Sequence, residues 1–306
     1  MSKSSEPPLH DPTALSQYGR LAVVARAVVE GYMIGQHRSQ FKGSSVEFVE
    51  HRQYYPGDEI RHIDWHAYGK TGKYYIKEYE EETNLRAYVL LDCSGSMAYA
   101  GKTLSKFAYG RIVASALSHL LVAQRDAVGF ITFDGTTQLR FEPSTNPLQL
   151  EQVLSQLEAV EPKDETALHK AFDEILPSLK RRSLVIIISD FFDHLEPLRR
   201  SLDQFEHARH EVMLLQVLAP EECDFPFSRP TMFRSLERKG QRMLVDPHRL
   251  RSIYLKQFGE FLTELEGMSG NAGIDYTRFS TTDPCHLVLG AFLAARARRQ
   301  GKRLKR

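Results

Sequence analysis

Cysteine is scarce in this 306-residue chain: Cys93, Cys223 and Cys285 are the only three, far apart and without a CxxC pair. That pattern excludes a disulfide framework and a zinc knuckle, and it fits a reducing cytoplasm. Long hydrophobic runs are missing as well. No stretch approaches the roughly 20 apolar residues that span a bilayer, and no basic segment leads into an apolar one at the N-terminus, so neither a membrane span nor a secretory signal is expected. The most apolar early segment, residues 21–34, is interrupted by Arg26 and Glu30 and reads as an amphipathic helix. Charge of one sign is absent too. Lys plus Arg number 40 against 39 Asp plus Glu, so no global field marks a binder of nucleic acid or membranes. Tryptophan occurs once, at Trp65, which reads as buried packing.

The residues that are present describe a globular chain. Hydrophobic residues at 42% and charged residues at 26% exclude disordered, collagenous and membrane-embedded classes. At roughly 150 residues per domain the length allows one large domain or two ordinary ones. Charge is uneven along it. Residues 291–306 carry Arg296, Arg298, Arg299, Lys302, Arg303, Lys305 and Arg306 with no acid, so a mildly acidic body ends in a basic tail. Four segments follow from texture: a leader and N-terminal helix over 1–35, a small β-rich lobe over 36–84, an α/β domain over 85–290, and the tail. The helix is read from Leu15, Leu21, Val24, Val28 and Met33, with Asp11 or Thr13 as cap. The lobe is read from short β-branched and aromatic runs broken by Lys42-Gly43, Pro56-Gly57 and Thr71-Gly72.

Beyond Glu80-Glu81-Glu82 apolar strands alternate with helical patterns, the signature of an open, mostly parallel sheet covered by helices on both faces. Strands are expected over 86–91, 127–133, 137–141, 184–189, 212–217 and 275–279. The continuously apolar YVLL and LVIIIS runs belong at the centre, covered on both sides. Tyr109, Val113, Leu117, Leu120 and Leu121 recur at helical spacing between the first two strands. Further helices are expected over 166–180, 195–208 and 247–266, with a last one capped by Asp283 and carrying Pro284 at its first position. Residues 219–246 read as a loop insertion.

The first strand runs into Asp92-Cys93-Ser94-Gly95-Ser96. The carboxyl edge of such a sheet is where ligands bind. One carboxylate and two hydroxyls two residues apart on a tight turn are hard oxygen donors, suited to Mg²⁺, Mn²⁺ or Ca²⁺ and not to a soft metal. Asp190 ends the other strongly apolar strand, and Thr166 sits in a loop that opens a helix. With these residues the sequence resembles the von Willebrand factor type A fold and its metal-ion-dependent adhesion site. That resemblance implies an ion held by Asp92, Ser94, Ser96, Thr166 and Asp190, with a position left for an Asp or Glu of a protein partner. It implies docking, not catalysis.

A second resemblance lies upstream. Tyr54-Tyr55-Pro56-Gly57-Asp58-Glu59-Ile60-Arg61-His62-Ile63-Asp64-Trp65, preceded by Val46-Glu47-Phe48-Val49-Glu50-His51-Arg52, is similar to the hallmark of the family named domain of unknown function 58 (DUF58). Its members carry an A-type domain just downstream. Here Tyr68-Gly69-Lys70 stands where the family continues to a small residue and Arg. The resemblance implies a MoxR-type AAA+ ATPase as partner. For Pro56, Gly57, Asp58, Arg61, Asp64 and Trp65 a salt-bridged turn packing the lobe is preferred over a binding role.

Other readings fit less well. Gly95 and Gly101-Lys102-Thr103 follow a buried strand, but five residues separate them where a phosphate-binding loop needs four. His62 and His66 are four apart, yet Ile63 stands where a helix-borne zinc protease needs Glu. No His is tied by spacing to Ser94 or Ser96, so no catalytic triad can be drawn and no small-molecule substrate is expected. The basic tail could meet phosphates of nucleic acid or lipid, but neither aromatic interleaving nor a reader motif supports nucleic-acid binding.

Overall fold

The computed structural model describes residues 11–16, 20–38, 51–53, 68–69, 72–77, 85–163, 167–237 and 240–303. The chain divides into two compact units, residues 1–35 with 85–306, and residues 36–84. In the smaller unit β1 (His51–Gln53) pairs antiparallel with β2 (Tyr75–Lys77), matching Arg52 with Ile76. The rings of Tyr68 and Tyr74 stack there at 4.4 Å. Pro56, Gly57, Asp58, Arg61, His62, Asp64, Trp65 and His66 lie outside the described residues.

The larger unit opens with α1 (Pro12–Ser16) and α2 (Leu21–Arg38). Two helices thus stand where the hydrophobic spacing predicts one, and the Asp11 carboxylate caps the first by accepting from Thr13 N at 2.8 Å. Then follow β3 (Arg86–Asp92), α3 (Lys106–Ala123), β4 (Ala127–Phe133), β5 (Thr137–Ser144), α4 (Pro147–Glu158), α5 (Leu168–Ile175), β6 (Leu184–Ser189), α6 (Leu195–His207) and β7 (Glu211–Leu218). The chain continues through α7 (Pro220–Asp224), β8 (Thr231–Arg234), β9 (Arg242–Val245), α8 (Pro247–Asn271), β10 (Asp275–Ser280) and α9 (Cys285–Arg303).

Six strands form one sheet in the order β10-β7-β6-β3-β4-β5, parallel except for the antiparallel edge strand β5. The two most apolar runs, β3 and β6, are its centre, as their lack of alternation predicts. Side chains of β3 divide between the faces: Ala87, Val89 and Leu91 belong to one core with residues of α2, α3, α4 and α9, whereas Tyr88 and Leu90 belong to another with residues of α5, α6 and α8. Every residue of β6 is buried. Burying each of its Val, Leu and Ile side chains is worth roughly 1.5–3 kcal/mol relative to exposure, so this strand anchors whatever its carboxyl end carries.

Local signals set the boundaries. Ser105 caps α3, its Oγ accepting from Ala108 N at 3.0 Å. Arg125 and Arg209 follow α3 and α6 in the left-handed region, at φ 61° and 60°, and turn the chain into the next strand. The helix α4 has no counterpart in the expectations above, although Asn146 as cap and Pro147 at its first position mark its start. Residues 219–246, expected to be a loop, contain α7 and the antiparallel hairpin β8–β9. Phe233 of the hairpin stacks on Phe225, and its outward residues Met232 and Leu244 are more than half exposed. That exposure removes the alternation by which sequence patterns reveal strands. Among the described residues no helix is long and apolar enough to cross a membrane.

Candidate functional site

Parallel pairing of Leu91 with Ile188 brings the carboxyl ends of β3 and β6 side by side. Asp92, Ser94, Ser189 and Asp190 are all fully buried there. Beyond β3 the Cys93 amide donates to the Phe133 carbonyl at 2.7 Å, and the chain bends into a 3₁₀ turn, Gly95–Ala98. The bend is closed by Asp92, whose Oδ1 accepts from Ser94 N at 2.8 Å. It leaves the hydroxyls of Ser94 and Ser96 only 3.2 Å apart. At the end of β6, Ser189 Oγ donates to Asp92 Oδ2 at 2.6 Å and accepts from Phe191 N at 2.9 Å. Phe191 has φ 59°, a conformation unfavourable for a bulky residue. This turn lets Asp190 Oδ1 accept from Phe192 N at 3.0 Å. Gln216 Nε2 holds the Asp190 carbonyl from the neighbouring strand at 2.8 Å.

Of the five residues read as an ion site, Asp92, Ser94, Ser96 and Asp190 lie together at this edge. Thr166 lies outside the described residues. Three participants escaped the sequence reading. One is Ser189, the bridge to Asp92. The second is Lys106, the first residue of α3, whose Nζ is 2.6 Å from Asp190 Oδ2 and 2.6 Å from Glu222 Oε1 while its side chain is only 1% exposed. Glu222 of α7 is the third, and its other oxygen accepts from Ala219 N at 2.8 Å. A lysine opening a helix opposes the macrodipole, which favours anions there; this was the available sequence signal for Lys106.

The electrostatics follow from burial. Desolvation, then repulsion from Asp190, push the Asp92 carboxyl up to about 7, against the hydrogen bonds from Ser189 and Ser94 that favour its charge. Burial works against the Lys106 ammonium too, but Asp190 and Glu222 more than compensate and hold its pKa above the ordinary lysine value. Burial raises Glu222, opposed by Lys106. Cys93 is pushed up to about 12 by burial and by the charges of Asp92 and Asp134, so it stays a thiol at neutral pH and is no nucleophile.

Asp190 and Glu222 share the Lys106 ammonium, and Asp92 feels the charge of Asp190. With all three carboxyls ionised, two negative charges are left over, beside two hydroxyls that are neutral hard donors. This donor set fits a divalent oxygen-loving cation. Among the described residues no three His, Cys, Asp or Glu side chains form a metal-holding group, so hydroxyls are needed to complete such a site.

The segment considered as a phosphate loop is used differently. The Lys102 amide donates to Glu221 Oε1 at 2.9 Å, and a Cβ on Gly101 would lie 2.1 Å from that carboxylate. Thr103 Oγ1 is bonded to Thr281 Oγ1 at 2.7 Å. A carboxylate thus occupies the amide that a phosphate would take. In the tail, Arg296 is committed to Asp126 and Gln124, both at 2.8 Å.

Comparison with known proteins agrees with the upstream motif. The profile described as "Protein of unknown function DUF58" matches residues 50–260. This chain belongs to the DUF58 family. A relative, the uncharacterized protein Rv1480 of Mycobacterium tuberculosis, is 24% identical over 225 residues, covering 71% of the DUF58 chain described here and 69% of Rv1480. Among solved structures, BatB from Bacteroides thetaiotaomicron superposes with a TM-score of 0.46 at 18% identity, over 70% of this chain and 99% of BatB. The SpRpn10 VWA domain superposes with a TM-score of 0.40 at 9% identity, over 65% and 89% of the two chains. The architecture of this DUF58 protein is α/β: a mostly parallel six-stranded sheet between helices.

Proposed function

We propose that this DUF58 protein is a non-catalytic protein-binding module whose docking point is a divalent ion, Mg²⁺ by preference, at the rim of β3 and β6. The observation that supports this is the buried Asp92 carboxyl, set against the charge of Asp190 and standing beside the Ser94 and Ser96 hydroxyls. Asp92, Ser94 and Ser96 would hold the ion. Asp190, with Oδ2 taken by Lys106 and Oδ1 by Phe192 N, would act by its charge and through water. Thr166 completes the set by resemblance. An octahedral ion not saturated by protein oxygens keeps exchangeable waters, and an acidic side chain of a partner can replace one. When bound, the ion supplies an electrophilic anchor for that carboxylate. Among the described residues at this edge, Cys93 is held as a thiol and the Ser189 hydroxyl is given to Asp92, so neither is an activated nucleophile.

By the family resemblance the partner proposed is a MoxR-type AAA+ ATPase, which would provide the energy for assembling or maturing a protein complex. The test is Mn²⁺ titration by calorimetry, followed by capture of the purified ATPase with and without chelator. The reading requires stoichiometric Mn²⁺ binding that Asp92→Ala abolishes, and capture lost with chelator. Wild-type protein that binds no divalent ion, or capture indifferent to both chelator and Asp92→Ala, would overturn it.

A further inference from the structure

Lys106 has no part in the ion site as read from the sequence, yet it is among the largest fully buried side chains of the protein. Its ammonium touches Asp190 and Glu222, each at 2.6 Å, lies 4.7 Å from the centre of the Phe192 ring and 6.0 Å from that of Tyr99. Two anions and two aromatic faces thus enclose it, an arrangement that suits a cation. The Lys106 backbone is held as well, its amide donating to the Tyr99 carbonyl at 3.0 Å. This cation cannot swing into solvent or be replaced by salt without opening α3 or α7.

We propose that Lys106 is a resident counter-charge that fixes which ions the neighbouring site accepts, selecting divalent over trivalent cations. The inference rests on the ion-site reading above and adds a charge-setting residue to it. Its basis is arithmetic on the buried groups. With all four groups ionised, Asp92, Asp190 and Glu222 with the Lys106 ammonium leave two negative charges, which one divalent ion cancels. Without the ammonium the same three carboxyls have no internal cation, and an ion that displaces their protons meets three negative charges, matching a trivalent ion. Coulomb energy scales with the product of ion and site charge. One more negative site charge therefore favours a trivalent ion over a divalent one by an extra unit of interaction. Over a few ångströms in a buried site that changes the preference about tenfold or more. Glu222 tests the opposite sign, because its neutral amide would leave a single negative charge while Lys106 stays on Asp190.

The experiment measures binding of Mn²⁺ by calorimetry and of Tb³⁺ by sensitised luminescence, in metal-free protein at pH 8, for wild type, Lys106→Met, Glu222→Gln and Asp92→Ala. The proposal expects the Tb³⁺ over Mn²⁺ preference to rise about tenfold in Lys106→Met and to fall in Glu222→Gln. Circular dichroism checks the fold of each; should Lys106→Met not fold, the fall in Glu222→Gln carries the test. An unchanged preference in the folded variants, with wild type binding and Asp92→Ala not, overturns the role of Lys106 and leaves the ion site standing. No binding of either ion by wild type, or undiminished binding by Asp92→Ala, overturns the ion-site reading and this inference with it.

Discussion

Replacing Asp92 by Asn should make the metal-free protein more stable at pH 8 and change it little at pH 4. The reason is linkage. The Asp92 carboxyl titrates at about 7 in the folded chain against 3.8 as an ordinary side chain. Its folded pKa is raised, so between those values the native state holds a proton that the unfolded chain has lost. Stability therefore falls as pH rises through that window, by about 1.4 kcal/mol per unit, and reaches a total loss on the order of 4 kcal/mol above pH 7. Asparagine has no such loss. It keeps an oxygen for the Ser94 amide and turns an NH₂ toward Ser189, as the protonated carboxyl turns its O–H, so the amide stands in for the neutral acid. The variant should gain about 4 kcal/mol at pH 8, a rise in Tm of roughly 8–16 °C, and differ little from wild type at pH 4. Urea unfolding in chelator from pH 4 to pH 8 measures the difference directly. A difference that does not grow between pH 4 and pH 8 refutes the charge assignment. Magnesium at 100 times its Kd should restore about 2.7 kcal/mol to wild type at pH 8 and nothing to Asp92→Asn.

Three further outcomes follow from the same structure. Lys106→Ala, which strands the buried Asp190 and the partly buried Glu222 carboxylates, should cost about 3–5 kcal/mol in urea unfolding at pH 7; a loss under 1 kcal/mol would mean the ammonium is not paired as described. Ser105→Ala removes the hydroxyl that caps α3 and should cost about 1 kcal/mol, with Ser105→Asn restoring most of it. A thiol reagent at pH 8 should label exposed Cys223 and spare buried Cys93 and Cys285, the latter two held up at about 12; mass spectrometry that finds Cys93 modified in folded protein contradicts its burial.

The fold was largely legible because the sheet writes itself into local composition. Strands β3, β4, β5, β6, β7 and β10 start within a residue of their expected positions, since central runs such as residues 184–188 are buried on both faces and stay apolar. Where that constraint is absent the signal fades. Hairpin β8–β9 packs Phe233 on Phe225 but leaves Met232, Met243 and Leu244 exposed, so neither alternation nor continuous apolarity marks it. The helix α4 buries Leu150, Val153, Leu154 and Leu157 at helical spacing, a pattern overlooked beside the stronger strand signals.

The site divides along the same line. Asp92, Ser94 and Ser96 share one tight turn, and Asp190 ends a central strand, so chain-local spacing and strand position suffice to connect them. Lys106 is 84 residues from Asp190 and 116 from Glu222 in sequence, and only the parallel crossovers that set β3, β6 and β7 side by side bring the three together. No motif encodes such a meeting, but a local misfit does: a lysine at the first position of a helix stands where the macrodipole disfavours a cation. Buried there, it is tolerable only if carboxylates from elsewhere face it. A cation at a helix start, directly after a Ser cap and beside a strand-end acidic motif, therefore points to unseen acids, and Asp190 and Glu222 are those acids.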